Sequence, residues 1–172
     1  MNEVLTFKDE MMLGIAQRMS DVVLVKGTFI FELRDAKTKE IIRREIADNL
    51  VVAQGRAYIR RNIIKAATTY NGGYIAVSTS TTTVSDNETS MPATILGVKV
   101  ATKSIVNEGG VELCEWSATF GTTEANGTIG SGGIVENSDG TGLWARAVLS
   151  SPITKDSSME LTVRYRIQVS SA

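Results

Sequence analysis

The chain contains no histidine, the side chain that most often serves as general base or metal ligand near neutral pH. That absence weighs against an enzyme. Cys114 is the only cysteine, so an internal disulfide framework and a cysteine-based zinc cluster are excluded. Charge of one sign is missing too: 18 basic residues face 19 acidic ones, and no global field draws the chain onto nucleic acid or an anionic membrane. No run approaches the roughly 18 apolar residues that span a bilayer. The first residues, with Glu3, Lys8, Asp9 and Glu10, lack a secretory-signal pattern, so maturation in a cytoplasm is expected.

What is present reads as one globular unit preceded by an arm. Residues 6–19, "TFKDEMMLGIAQRM", predict an amphipathic helix: Thr6 is placed to cap it, and Phe7, Met11, Ile15 and Met19 recur every four residues. Either this helix packs on its own domain, or residues 1–21 form an arm that docks on a neighbouring subunit, a use that suits adaptable methionines. From Val22 the period becomes two. Val23, Val25, Phe29, Phe31 and Leu33 share one strand face, interrupted by Gly27, and "IIRREI" (41–46) returns after a polar turn.

A second helix is predicted from about Gln54 to Ala67, although Gly55 weakens it. Everything beyond Tyr74 reads as strand and turn. "STTTVSDNETSMP" (80–92) is a long polar surface loop, of a length that is often functional. Residues 95–107 place Leu96, Val98, Val100 and Val106 on one face, and residues 111–121 do the same for Cys114, Trp116, Ala118 and Phe120. Cys114 therefore reads as a small core residue rather than a nucleophile, since no histidine can activate it. The last strand alternates without a break from Met159 through Leu161, Val163, Tyr165 and Ile167 to Val169, which excludes a helix. The expected fold is mainly β: an antiparallel β-sandwich or barrel-like domain over residues 22–172, with an N-terminal amphipathic helix and one further helix.

Catalytic and cofactor motifs are missing. "GSGG" (130–133) lies in a β region, without the strand, loop and helix of a phosphate-binding unit, so its glycines serve turns or close backbone approach. Asp86 with Glu88, and the run "ENSDG" (136–140), offer oxygens but no calcium-loop spacing. An enzyme would have to work through a carboxylate such as Glu124 or Asp139. The one concentration of charge is basic, comprising Arg43, Arg44, Arg56, Arg60, Arg61 and Lys65. Glu45 and Asp48 dilute it, and Tyr58 is its sole aromatic, which favours a solvated face or subunit contact over nucleic acid. Trp144 and Arg146 share a face of the strand after "SDGTG", a pair awkward to leave in water, so a second sheet or a neighbouring subunit is expected to cover them.

Three segments together resemble a group of small virion proteins of tailed bacteriophages. They are "NLVVAQGRAYIRRNI" (49–63), "YIAVSTSTTTVSDNET" (74–89) and "EANGTIGSGGIVENSDGTGLWARAVLSSPITK" (124–155). The group's pattern runs N-L-V-V-x-x-G, then I-A-V-G-T-G-T-T before an acidic residue, then E-A-N-G and G-x-L-x-A-R with P-I-x-K. Here Ser78 and Ser80 stand where the group has glycines, and "SGGIVEN" replaces its more acidic segment.

The resemblance implies capsid decoration, head-fibre, or tail and fibre components, with no catalytic residues and no cofactor. On that footing the expected function is non-enzymatic: a capsid decoration or cement protein of a virion assembled in a bacterial cytoplasm. Its partners would be copies of itself and the major capsid protein or tail components, with no membrane involved. Met11, Ile15, Met19, Arg56, Arg60, Arg61, Trp144 and Arg146 are the candidate subunit or lattice contacts. The alternatives are a tail, neck or fibre-attachment component, and a carbohydrate-binding module using Trp144 and Tyr74.

Overall fold

The computed structural model describes residues 23–63 and 72–171. The expected N-terminal helix, with Met11, Ile15 and Met19, lies outside the described residues. So does the end of the second helix.

Among the described residues, ten strands form two antiparallel five-stranded sheets. The first sheet has the order β2-β1-β10-β7-β6, built from β1 (Val23–Asp35), β2 (Ile41–Asp48), β6 (Thr102–Glu108), β7 (Val111–Phe120) and β10 (Met159–Ser171). The second has the order β3-β9-β8-β4-β5, built from β3 (Leu50–Val51), β4 (Tyr74–Ser78), β5 (Ile95–Val100), β8 (Gly127–Val135) and β9 (Leu143–Lys155). The arrangement is a sandwich, and neither sheet closes into a barrel. One helix, α1 (Ala53–Ile63), follows β3.

Period-two patterning builds the core. Phe29, Phe31 and Leu33 of β1, Ala118 and Phe120 of β7, and Leu161, Val163, Tyr165 and Ile167 of β10 point at Ile75, Val77, Ile129, Ile134, Ala145, Ala147 and Ile153 of the facing sheet. Phe29 stacks on Tyr165 with ring centroids 4.6 Å apart, an offset geometry that aromatic quadrupoles favour. "GSGG" gives the expected close backbone approach at Gly130, where a Cβ would sit 2.6 Å from Ser80 O, and makes room for side chains at the next two glycines. A Cβ on Gly132 would sit 2.7 Å from the Phe31 ring, and one on Gly133 would sit 2.5 Å from Met91 Sδ.

Three local readings change in three dimensions. The face read through residues 95–107 is split at Ala101, whose N–H donates to Gly73 O as the chain passes from one sheet to the other. A register shift at Val77/Ser78 also sends Leu96 into the main core while Val98 joins a smaller cluster. Cys114 is exposed, not a core residue. It does share the face of Trp116 and Ala118, but its neighbour on β6 is Ile105, itself 70% exposed. That end of the face therefore has no cover from the opposite sheet among the described residues.

The third change concerns β9. A register shift between Ile134 and Val135 breaks its alternation beside Trp144. Leu143 joins the smaller cluster with Val52, Ala76, Met91 and Val135, and Trp144 joins the main core with Ala145 and Ala147. The bulge separates residues that strict alternation had paired.

Candidate functional site

The outer face of the β3-β9-β8-β4-β5 sheet is roofed by the loop between β4 and β5, and α1 runs along β9 beside it, with Tyr58 turned into the main core. The roof begins where β3 ends: Val52 N–H donates to Trp144 O at 3.0 Å, and Ala53 N–H donates to Asp86 O of the loop at 2.9 Å. Helix and strand then run so close that a Cβ on Gly55 would collide with the carbonyl of Trp144. This explains a glycine inside a helix, where it costs about 1 kcal/mol relative to alanine. Close backbone approach decides the residue against its own propensity.

Arg146 is the centre of the roof. It is fully buried, and its Nε and Nη2 donate to the two oxygens of Glu88 at 2.8 Å each. Nη2 also donates to Thr82 O at 3.0 Å. Nη1 has no hydrogen-bond partner among the described residues. Burial pushes the Glu88 carboxyl up, but the Arg146 hydrogen bond, the Ser85 N–H and the Arg146 charge outweigh it and hold its pKa below the usual carboxylate range. A charge-assisted fork of this kind fixes geometry as well as adding energy.

A second fork lies nearer the solvent. Arg56 on α1 donates to both oxygens of Asp86, at 2.7 and 2.8 Å, and to Val51 O at 2.7 Å. The Arg56 hydrogen bonds hold the Asp86 carboxyl below its usual range. Trp144 is held against the first half of the helix, on the core side. It is 6% exposed, its ring centroid lies 5.7 Å from that of Tyr58, and its Nε1–H donates to Glu136 Oε2 at 3.1 Å. The same oxygen accepts from Gly72 N–H at 2.9 Å.

A further peg sits at the far end of β9. Lys155, 1% exposed, donates from Nζ to Gly121 O and Asn126 Oδ1, both at 2.7 Å. Burial lowers its pKa. Glu124, one of the carboxylates weighed for catalysis, accepts from Gly121 N–H at 2.7 Å and from Lys99 Nζ at 2.5 Å. These bonds depress its pKa, with the Lys99 hydrogen bond the largest contribution. Asp139 is likewise lowered, first by the Thr141 hydroxyl. A general acid at neutral pH would need the opposite shift. Among the described residues, no three cysteine, aspartate or glutamate side chains are grouped to hold a metal ion.

The candidates therefore divide. Arg146 and Arg56 meet at the β4–β5 loop, whereas Trp144 packs into the main core against Tyr58 of α1, so each of Trp144 and Arg146 is covered by the chain's own helix or loop rather than left for a neighbour. The side chains of Arg60 and Arg61 lie outside the described residues. The basic cluster is dispersed: Arg43 pairs with Glu45 and donates to the carbonyls of Ser151 and Pro152, while Arg44 lies 3.7 Å from Glu32. The residues that carried the resemblance meet one another, Asn126 of E-A-N-G with Lys155 of P-I-x-K, and Arg146 of G-x-L-x-A-R with Glu88 of the loop. The pairing of Arg146 with Glu88 had one signal in the sequence, a lone arginine in an otherwise apolar strand after a loop bearing two carboxylates.

The opposite outer face, that of the β2-β1-β10-β7-β6 sheet, has no such roof among the described residues. Glu32 there takes Arg164 at 2.6 Å, Arg34 at 3.3 Å and Arg44 at 3.7 Å, while Arg166 holds Glu115 at 2.7 Å and Glu108 at 2.6 Å. A groove of about 270 Å³ runs beside these pairs, floored by Ile30, Ile46 and Leu113.

Compared with known protein families, curated proteins and solved structures, the chain matches none. No helix among the described residues is long and apolar enough to cross a membrane.

Proposed function

We propose that this chain is a non-enzymatic structural protein of a tailed-bacteriophage virion, a capsid decoration or cement protein that works by burying surface against copies of itself and against other virion proteins. The observation that carries the reading is the contrast between occupied chemistry and open surface. The polar side chains that draw attention as a site, Arg146, Glu88, Arg56, Asp86, Lys155 and Glu124, are engaged in pegging loops to the scaffold. Large apolar side chains stand exposed along edge strands instead: Ile41, Ile42 and Ile46 on β2, Val100 on β5 and Ile105 on β6. Such surface suits association more than turnover.

The resemblance to small phage virion proteins supplies the setting. A carbohydrate-binding reading would require Trp144 at an open rim, whereas its ring is buried and its N–H engaged. Deletion of residues 1–20 tests the role of the arm. The truncated protein should fold with unchanged near-ultraviolet circular dichroism yet fail to join particles in an in-vitro assembly assay. Full incorporation would overturn the arm's part in attachment, and electron microscopy of the particle separates a head position from a tail position.

A further inference from the structure

Among the described residues no strand pairs with the outer edge of β2. β2 ends its sheet, and its outer face presents Arg44, Ile46 and Asp48 in sequence, all exposed, with Ile46 at 61%. Charged residues on an edge strand ordinarily repel a stray partner. This order, positive then apolar then negative, does so selectively, because it is complementary to itself when read in reverse. We propose that two copies associate through antiparallel β2–β2 pairing about a two-fold axis at Ile46, which joins their sheets into one continuous sheet.

The register on the neighbouring strand makes the case stronger. Within one chain Ile30 lies opposite Ile46, Glu32 opposite Arg44 and Thr28 opposite Asp48. A two-fold axis at Ile46 sets Ile46 against the partner's Ile46, extending the apolar row that begins at buried Ile30. It sets Arg44 against the partner's Asp48, and the symmetry repeats that pair. Each Arg44, now 3.7 Å from Glu32 on one side, gains a carboxylate on the other. Asp48 makes no ion pair among the described residues and is available for it.

Two neighbouring registers are worse. An axis at Arg44 opposes two arginines, and an axis at Glu45 opposes two glutamates; like charges directly across strands are destabilising. The other edge of this sheet, β6, carries Thr102, Ser104, Val106 and Glu108 on the same face, with Glu108 already paired to Arg166. It offers no such self-complementary order. β3 is only two residues long.

This proposal gives a place to part of the surface burial proposed above, but it stands on β2 alone and is tested on purified protein without particles. Its failure would leave the particle-binding reading intact, and the reverse also holds. Sedimentation velocity of the full chain should show a reversible dimer. Arg44→Asp and Asp48→Arg should each weaken dimerisation by roughly tenfold or more, since each converts two attractive cross-strand pairs into repulsive ones. An equimolar mixture of the two variants should recover a heterodimer, because the two carboxylates of one chain would then face the two guanidinium groups of the other. A wild-type chain that stays monomeric at about 100 µM would overturn the proposal, as would variants that dimerise like the wild type. Should Arg44→Asp misfold through its proximity to Glu32, Asp48→Arg alone decides, and an unchanged dimer in it overturns the pairing.

Discussion

The two outer faces of the sandwich use the same pairs, arginine with glutamate, to different ends. On the roofed face, Arg146 reaches across 58 positions of sequence to Glu88 and fastens a loop that strand pairing touches only at Ser90. On the open face, Arg164, Arg34 and Arg44 gather on Glu32 from its own strand and the strands on either side, which backbone ladders already fix. Burial differs accordingly. The Arg146 side chain is fully enclosed, while Arg44 keeps half of its surface in solvent. A buried pair whose removal strands a charge is costly to break, and an exposed pair is worth little. The first face is thus held by specific chemistry, and the second carries no such fastening among the described residues.

Breaking the roof should give the largest effect. Arg146→Ala strands the Glu88 carboxylate and opens a cavity in β9, at a cost of about 3 kcal/mol, moderated by the partial solvent access of Glu88. Differential scanning calorimetry should show a fall in Tm on the order of 10 °C. Limited proteolysis should cut first within residues 80–92, a segment that should resist cleavage in the wild type. A variant whose loop stays resistant would mean that Arg56 and Asp86 suffice to hold it. Next in size is Gly55→Ala. Helix propensity alone predicts a gain of about 1 kcal/mol, yet the added Cβ meets backbone at Trp144 O and forces α1 off the sheet, for a net loss of about 2 kcal/mol. A stabilised Gly55→Ala variant would show that the helix can lift without harm.

The contrast between the faces also marks what was readable in the residues. The open sheet was legible because β1 and β10 obey a strict two-residue period: Phe29, Phe31 and Leu33 on one strand, and Leu161, Val163, Tyr165 and Ile167 on the other, point inward as their spacing predicts. The roof was not. Its determining contact joins residues far apart in the chain, and periodicity carries no information about pairs across a loop. Trp144 was placed on the face of Arg146 by alternation, but a bulge moved it into the main core. Cys114 was assigned to the core by an alternation that does hold, yet beside exposed Ile105 of the edge strand it is itself exposed. In each case the pattern gave the direction of a side chain and tertiary structure decided what met it.

The smallest expected effect sharpens the comparison through pH. Burial raises the Glu32 pKa, but the hydrogen bonds and charges of Arg164 and Arg34 more than offset this and hold it below the usual carboxylate range, as the bonds and charge of Arg146 do for Glu88. A carboxyl depressed in the folded state contributes stability that is complete above its unfolded value and is lost as pH falls through the folded one. Wild-type stability should therefore be level from neutral pH to about 5 and decline below about 4.5. Glu32→Gln, which keeps the shape but removes the charge its arginines share, should cost only about 1 kcal/mol at neutral pH because those arginines remain partly in water. It should also flatten the acid limb measured by urea unfolding across pH, without exposing the loop to protease. Glu88→Gln should flatten the same limb and expose the loop. Equal protease sensitivity in the two variants would mean that the faces are energetically coupled through the core, and that the division between a fastened face and a free one is false.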